Sequence, residues 1–243
     1  MNWHARYLQQ AAWTRGLRDY LFDKTKLSVA GRVLEVGSGT GAILSSLHTS
    51  AALYGLDLDA DSLRQSHHHI PTACLTRGDA HFLPYPTHSF DITYCHFLLL
   101  WVRDPLQVLL EMKRVTRSHG YVLALAEPDY TARTDGPEEL IPLGRLQNES
   151  LERQDADIGL GVHLADLFFR AGIALIETGP LQGQVAAAGS TAEWQAEWDV
   201  LESDLSGLLS EQEIARWKKL DEDARMHGTR LLNVPTYFAW GQV

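Results

Sequence analysis

The chain has 243 residues, of which 45% are hydrophobic and 21% charged, so it is long enough to form one sizeable globular domain. Its formal net charge of −10 at pH 7 opposes binding to nucleic-acid phosphates. Two cysteines are too few for a disulfide framework, and neither a signal-peptide core nor a bilayer-spanning apolar run is present, so we expect a cytoplasmic protein without membrane partners.

The N-terminal segment comes before the first predicted strand. Residues 5–23 carry an approximate helical stripe of apolar side chains, which predicts one amphipathic helix. We expect residues 1–30 to form a helical cap over the core that follows.

The most informative segment begins with a short aliphatic strand at residues 33–36. Three alternating glycines, Gly37, Gly39 and Gly41, end the strand, and apolar positions at residues 43–47 predict a helix directly after them. A tight strand-to-helix turn of this kind presents backbone N–H groups, with the helix dipole behind them. We therefore expect it to bind an anion or another polar ligand.

Two cofactor classes use such a turn. Gly37, Gly39 and Ala42 satisfy the dinucleotide-binding pattern, but Glu35 would repel a pyrophosphate and attract a cationic ligand. The run from residue 33 to 41 resembles motif I of the class I S-adenosylmethionine (SAM) methyltransferases. Their cofactor carries an ammonium, a sulfonium and a carboxylate but no phosphate. The resemblance implies a cofactor site that includes Glu35, Gly37, Ser38, Gly39 and Gly41.

Two further motifs follow the second and third predicted strands, at residues 53–56 and 73–76. Asp57 ends the second strand, where a carboxylate can accept hydrogen bonds from both ribose hydroxyls, and Asp59 is expected to cap the next helix. Residues 78–80 and 83–85 resemble the family's third motif, in which Asp79 would accept a hydrogen bond from the adenine amine. The other cofactor contacts that we predict are Leu58, Ser62, Ala80, His81 and Cys95.

The fourth predicted strand, residues 89–94, leads into Cys95, His96 and Phe97. Because ligands bind outside the carboxyl ends of strands in an open α/β sheet, His96 is placed to face the transferred methyl group. It is a candidate general base, and the alternative is a histidine that only lines the pocket. Methyltransferases of base amines or glutamine amides typically carry an Asn/Asp-Pro-Pro-Tyr/Phe motif here, and its absence argues against those acceptors.

The fifth predicted strand, residues 121–126, ends in two carboxylates and a phenol within residues 127–130. These groups suit a substrate site, so Glu127 is a candidate at the methyl acceptor. Tyr7 is another, because an N-terminal helix often covers the cofactor in the resembling family.

No metal site is expected. A catechol-type methyltransferase would place an acid at the end of the fourth strand, where this chain has Cys95 and His96. The triplet at residues 67–69 occupies consecutive helical positions, so its three imidazoles cannot converge on one ion.

The remaining pattern completes an α/β fold. Helices are predicted at residues 137–153, 163–172, 191–208 and 211–225, and strands at residues 173–177 and 235–240. Strand and helix alternate through the first five strands, which predicts a Rossmann-like, doubly wound sheet with helices on both faces. The resemblance implies seven strands, mostly parallel, with strand 7 antiparallel. We expect one domain over residues 1–243, with a cofactor-binding core at residues 31–128 and a substrate cover at residues 129–160 and 183–230.

The predicted function is methyl transfer from SAM to a small molecule by a monomeric enzyme. The acceptor atom, which could be oxygen, nitrogen or carbon, stays open. Two alternatives also stay open: a SAM-binding protein without catalytic activity, and an NAD(P)-dependent oxidoreductase that uses the glycine turn. An open cavity beside the sulfonium would favour the enzyme over the binding protein.

Overall fold

The computed structural model describes residues 3–181 and 191–243. Their main sheet has seven strands: β1 (Arg32–Val36), β2 (Ala52–Asp57), β3 (Cys74–Arg77), β4 (Phe90–Cys95), β5 (Thr116–Pro128), β7 (Ala174–Pro180) and β9 (Thr236–Gln242). The strand order is β3-β2-β1-β4-β5-β9-β7. Strands β1 to β5 pair in parallel, and β9 is antiparallel to both β5 and β7. The predicted fold is therefore confirmed.

Eight α-helices surround the sheets in the described part of the chain: α1 (Trp3–Trp13), α2 (Arg15–Lys24), α3 (Ala60–His69), α4 (Pro105–Val115), α5 (Ile141–Arg153), α6 (Leu164–Arg170), α7 (Thr191–Leu205) and α8 (Glu211–Met226). Local sequence explains several of their starts. The Asp59 side chain accepts from the backbone N–H groups of Asp61 and Ser62, which confirms the predicted cap, and Ser210 forms a capping box with Glu213 at α8. Two short strands, β6 (Thr134–Gly136) and β8 (Leu231–Asn233), form an antiparallel pair that the sequence did not predict.

Two predicted helices differ in the structure. The N-terminal helix is interrupted at Thr14, which separates α1 from α2. The side chain of Thr14 is buried and hydrogen-bonded to His96. The helix expected after the glycines is only a 3₁₀ turn, Leu44–Ser46. There the hydroxyls of Ser45 and Ser46 donate to the backbone carbonyls three residues earlier, those of Ala42 and Ile43. These bonds compete with regular helix formation.

The helices bury three principal apolar clusters. One cluster joins the sheet to α4 and α6, and a second joins the other face of the sheet to α2 and the segment that precedes β1. A third cluster lies apart from the sheet and is built by α5, α7 and α8 around Trp198, of which 1% is exposed. The predicted cover thus has its own small core. Residues 183–190 of that predicted cover lie outside the described residues.

Candidate active site

The glycine turn after β1 uses its backbone N–H groups internally. The N–H groups of Gly37 and Ser38 both donate to the carbonyl of Leu56, at 2.8 and 2.9 Å, and Gly41 donates to the carbonyl of Ser38 at 2.9 Å. The N–H of Gly39 donates to Asp57 Oδ2 at 2.7 Å. With these donors occupied and no α-helix behind the turn, the geometry favours the other expected ligand, a polar molecule, over an anion. The turn lacks the usual features of a pyrophosphate site.

Glycine is required here by both conformation and space. Gly37 and Gly39 have φ values of 73° and 49°, in the left-handed region. A Cβ on Gly37 would lie 2.7 Å from a methyl carbon of Leu98, and one on Gly39 would lie 3.2 Å from the ring of Tyr7. The turn is therefore packed between the loop after β4 and helix α1.

Two carboxylates lie beside the turn. Asp57 is half-buried at the end of β2, and its second oxygen accepts from the N–H of Asp59 at 2.9 Å. Glu35 is 2% exposed and accepts a hydrogen bond from the Tyr94 hydroxyl at 3.1 Å. Burial raises the pKa of Glu35 to about 8, although the Tyr94 hydroxyl and the nearby Arg18 charge favour its ionised form. A buried carboxyl group of this kind would be stabilised in its charged state by a cationic ligand.

The turn opens on a cavity of about 320 Å³, here named the turn cavity. Of the predicted site residues, it brings together Tyr7, Glu35, Gly37, Ser38, Gly39, Asp57 and His96. Its far wall is formed by the helices of the cover, through Gln147 of α5 and Asp204 of α7.

A second cavity of about 260 Å³, here named the cover cavity, adjoins the first and lies beneath α7. Seven residues line both cavities: Arg6, Gln10, Phe97, Pro128, Tyr130, Gln147 and Val200. The cover cavity is walled by aromatic side chains, including Trp13 and Trp198, and by charged groups. A polar ligand at the glycine turn and a second small molecule could therefore lie next to each other inside the protein.

Comparison with known proteins gives the family. A family model described as "Methyltransferase domain" matches residues 34–124. A phosphatidylethanolamine N-methyltransferase of Cereibacter sphaeroides is 33% identical over 147 residues, which make up 54% of this chain and 71% of that protein. The chain belongs to the SAM-dependent methyltransferases.

Further matches agree with this assignment. A demethylmenaquinone methyltransferase of Renibacterium salmoninarum is 32% identical over 126 residues, and the chain spans about half its length, 52%. A solved SAM-dependent methyltransferase from Thermotoga maritima, a possible histamine N-methyltransferase, has a TM-score of 0.56 at 17% identity, with 98% of this chain and 95% of that chain covered. At that identity the likeness shows the fold. The dinucleotide oxidoreductase alternative is overturned.

SAM is the cofactor of this methyltransferase, and the residues of the turn cavity fit it. The turn uses its N–H groups internally and presents the carboxylates of Glu35 and Asp57 to the cavity. These hydrogen-bond acceptors suit a cation and a ribose diol. In the described ranges there is no group of three or more His, Cys, Asp or Glu residues arranged to hold a metal ion. No helix in those ranges is long and apolar enough to cross a membrane.

Asp79 and His81 form a unit at the end of β3. Asp79 Oδ1 accepts from the backbone N–H of His81 at 2.9 Å and contacts His81 Nδ1 at 2.6 Å. These bonds lower the pKa of Asp79. The backbone N–H of Asp104 donates to His81 Nε2 at 3.2 Å, which assigns the ring proton to Nδ1. His81 therefore positions Asp79 and does not line the turn cavity.

Several other predicted cofactor residues lie away from the turn cavity. Gly41 faces α3, because a Cβ there would lie 2.5 Å from Ser66 Oγ, and the Ser62 hydroxyl is used in the Asp59 cap. Cys95 and Ala80 are buried in the core of the sheet, and Leu58 is 67% exposed at the surface. None of these five residues lines the turn cavity. Four of them are packed or hydrogen-bonded elsewhere, and Leu58 faces solvent.

Glu127 does not reach the acceptor region that we predicted for it. It is fully buried and accepts three backbone N–H bonds, from Leu98 and Leu99 at Oε1 and from Leu100 at Oε2, at 2.9–3.2 Å. Burial raises its pKa to about 7 despite these donors. Its carboxylate holds the sharp turn after β4, where Phe97 has a φ of 51°. Glu127 is therefore a positioning residue for the loop that carries His96.

His96 lines the turn cavity, but its Nε2 atom lies 3.0 Å from the Thr14 hydroxyl. Burial and the nearby Arg18 charge lower the pKa of His96 to about 3. A general base works best when its pKa lies near the working pH. His96 is consequently neutral and weakly basic, which favours the alternative that it lines the pocket.

Sequence reasoning missed the charged residues where the two cavities meet. Arg6 comes from α1, Glu197 and Asp204 come from α7, and Gln147 of α5 donates to Asp204 Oδ2 at 3.0 Å. Each of them lies on a helix whose sequence looks like an ordinary amphipathic surface. The chain by itself gave no signal that these three helices converge.

Proposed function

We propose that this methyltransferase transfers a methyl group from SAM to a small molecule held in the cover cavity. The observation that carries the proposal is the adjacency of the two cavities, which share seven lining residues. A small acceptor under the cover would lie beside the cofactor and away from bulk water. The empty space beside the glycine turn also supports an enzyme over a SAM-binding protein without catalytic activity.

In this proposal the residues around the turn bind the cofactor. The Asp57 carboxylate would hold the ribose hydroxyls, Glu35 would stabilise the cationic methionyl part, and Asp79 would accept from the adenine amine. Gly37 and Gly39 would give the turn its left-handed backbone and its close packing against Leu98 and Tyr7 beside the ligand. The lining of the turn cavity supports the roles of Glu35, Gly37, Gly39 and Asp57, whereas the role of Asp79 is supported by the family motif alone.

The chemistry asks little of the protein beyond orientation. SAM, when bound, supplies a methyl group on a good, neutral leaving group. The protein contributes mainly by aligning the acceptor with the methyl carbon and by excluding water. We propose that the cap (residues 1–30) and the cover (residues 129–160 and 183–230) do this in one domain with the core at residues 31–128. Tyr7, packed against Gly39, would cover the bound cofactor on the side of the cap.

The test is calorimetric titration with SAM and S-adenosylhomocysteine, followed by transfer of a labelled methyl group to small acceptors. Asp57→Ala should weaken binding by about tenfold or more, since it removes a charged hydrogen-bond acceptor. Asp61→Ala, an exposed acid on α3, is the matched control. Wild-type binding that Asp57→Ala leaves unchanged would contradict the assigned ribose site. Label that appears only on protein or nucleic acid would contradict the small-molecule acceptor.

A further inference from the structure

Arg6 is half-buried at the junction of the two cavities. It lines both of them, and its Nε atom is buried without a hydrogen-bond partner. Nη1 donates to Gln9 Oε1 at 2.7 Å, and the guanidinium lies 4.9 Å from the centre of the Trp13 ring. No ion pair within the described ranges includes Arg6. Burial accordingly lowers its pKa.

The other buried arginines near this region are compensated. Arg133 forms a two-pronged ion pair with Asp135, and Arg230 pairs with Asp221 and Asp135. Arg18, further along the cap, donates from all three of its nitrogens to protein oxygens. A buried N–H group without a hydrogen-bond partner is costly, so the unpartnered Nε atom of Arg6 indicates a ligand atom.

Two acids of α7 lie in the same space and lack ionic partners of their own. Asp204 lines the turn cavity and Glu197 lines the cover cavity, and neither takes part in an ion pair with a described residue. Their charges reach Arg6 and partly offset its burial. Asp204 Oδ2 accepts from Gln147 Nε2, and burial raises the pKa of both acids. Arg6 and Asp204 therefore face the turn cavity, and Arg6 and Glu197 face the cover cavity, without forming an ion pair in either.

We propose that the methyl acceptor carries both a carboxylate and an amino group, as an amino acid does, with its carboxylate bound by Arg6 and its amino group bound by Asp204. This inference rests on the proposed function. A ligand with both charges would satisfy the two sides of the separated pair at once. An acceptor with only one charge would leave either Arg6 or Asp204 without a partner.

The methyl transfer balances with these groups. The ammonium of the acceptor gives one proton to the Asp204 carboxylate, which passes it to solvent, and the nitrogen lone pair becomes available. That lone pair forms the new N–C bond as the C–S bond breaks, and the electrons of the C–S bond stay on sulfur. The positive charge thus passes from sulfur to the methylated nitrogen. Asp204 is placed for this step because it lines the turn cavity together with His96.

The experiment compares two matched series of probes. Binding is measured in the presence of saturating S-adenosylhomocysteine, and methyl transfer is measured with labelled SAM. One series is phenylalanine, 2-phenylethylamine and 3-phenylpropanoate, and the other is 4-aminobutanoate, propylamine and butanoate. At least one zwitterion should bind about tenfold more tightly than its amine analogue or better, and should be methylated faster by a similar factor. It should also bind more tightly than its acid analogue by about tenfold.

Variants assign each charge. Arg6→Gln should weaken the zwitterion but leave its decarboxylated amine unchanged, and Asp204→Asn should weaken the zwitterion but leave its deaminated acid unchanged. Arg15→Gln and Asp199→Asn, exposed or half-exposed positions on α2 and α7, make the same charge changes and should have no effect.

Three results would overturn the inference. In the first, an amine or acid analogue matches its zwitterion. In the second, the variants affect all probes equally. In the third, neither series binds. The proposed function has a separate readout, because SAM binding and its loss in Asp57→Ala do not depend on the acceptor. Methyl transfer to a small molecule with one charge or none would keep the proposed function and remove this inference.

Discussion

Glu35 should release a proton when a cationic cofactor enters the turn cavity. Its pKa of about 8 leaves the side chain about nine-tenths protonated at pH 7. A positive charge within a few ångströms lowers the pKa of a carboxyl group by about 1–3. If SAM lowers the pKa of Glu35 to about 6, binding at pH 7 releases about 0.8 proton.

The sign of the pH dependence follows from this shift. Because the bound state holds fewer protons than the free state, affinity for SAM should rise with pH between about 6 and 8 and level off above that range. For a fall in pKa from about 8 to about 6, the total gain is about 100-fold, or about 2.7 kcal/mol.

Calorimetry in two buffers with different ionisation enthalpies measures the released protons directly. Glu35→Gln should abolish the part of the proton release that comes from this side chain, and it also reveals any proton released by the ligand itself. Glu152→Gln, an exposed position on α5, is the control. Equal proton release in wild type and Glu35→Gln would show that Glu35 does not change its protonation state, and the reasoning from its burial would be refuted.

Three further predictions concern the scaffold of the site. Glu127→Gln should lower the free energy of unfolding by about 1–3 kcal/mol, because the amide cannot accept all three backbone bonds. Since the pKa of Glu127 is raised to about 7 in the folded state, the wild type should lose stability as pH rises from about 4.5 to 7. Denaturant titrations at several pH values should show that the free energy of unfolding falls less steeply with pH in the variant. Gly41→Ala should lower the melting temperature, because Gly41 has a φ of 78° and the new Cβ would meet Ser66 Oγ; an unchanged value would contradict the close packing. Thr14→Val should destabilise the protein by about 1 kcal/mol through the lost contact with His96, whereas Thr14→Ser should restore it.

The sequence predicted the cofactor side of the site because its signals are local. Glu35, Gly37 and Gly39 are neighbours in the chain, and Asp57 follows a strand whose apolar pattern is unambiguous. Parallel strands carry such residues to the same edge of the sheet whatever the details of packing. The number of strands in the sheet and the antiparallel last strand came from the family resemblance and are also confirmed.

Predictions from the local sequence pattern were wrong where a side chain could hydrogen-bond to more than one partner. The apolar spacing after Gly41 favoured a helix, but the two serines bond to nearby carbonyls and leave only a 3₁₀ turn. Glu127 stands at a strand end, where a substrate site was a reasonable prediction. Its carboxylate instead satisfies three N–H groups of the loop after β4, a choice that depends on how that loop returns beside β5.

By itself, the sequence determined the class of fold, the glycine turn that we propose as the cofactor site and the carboxylates beside it. Only the tertiary structure decided what lies opposite the turn. Arg6 and Asp204 come from helices near the two ends of the chain, and their meeting depends on the packing of the cap and the cover against each other. Periodicity shows which face of a helix is apolar, but it does not show which other helix that face will meet.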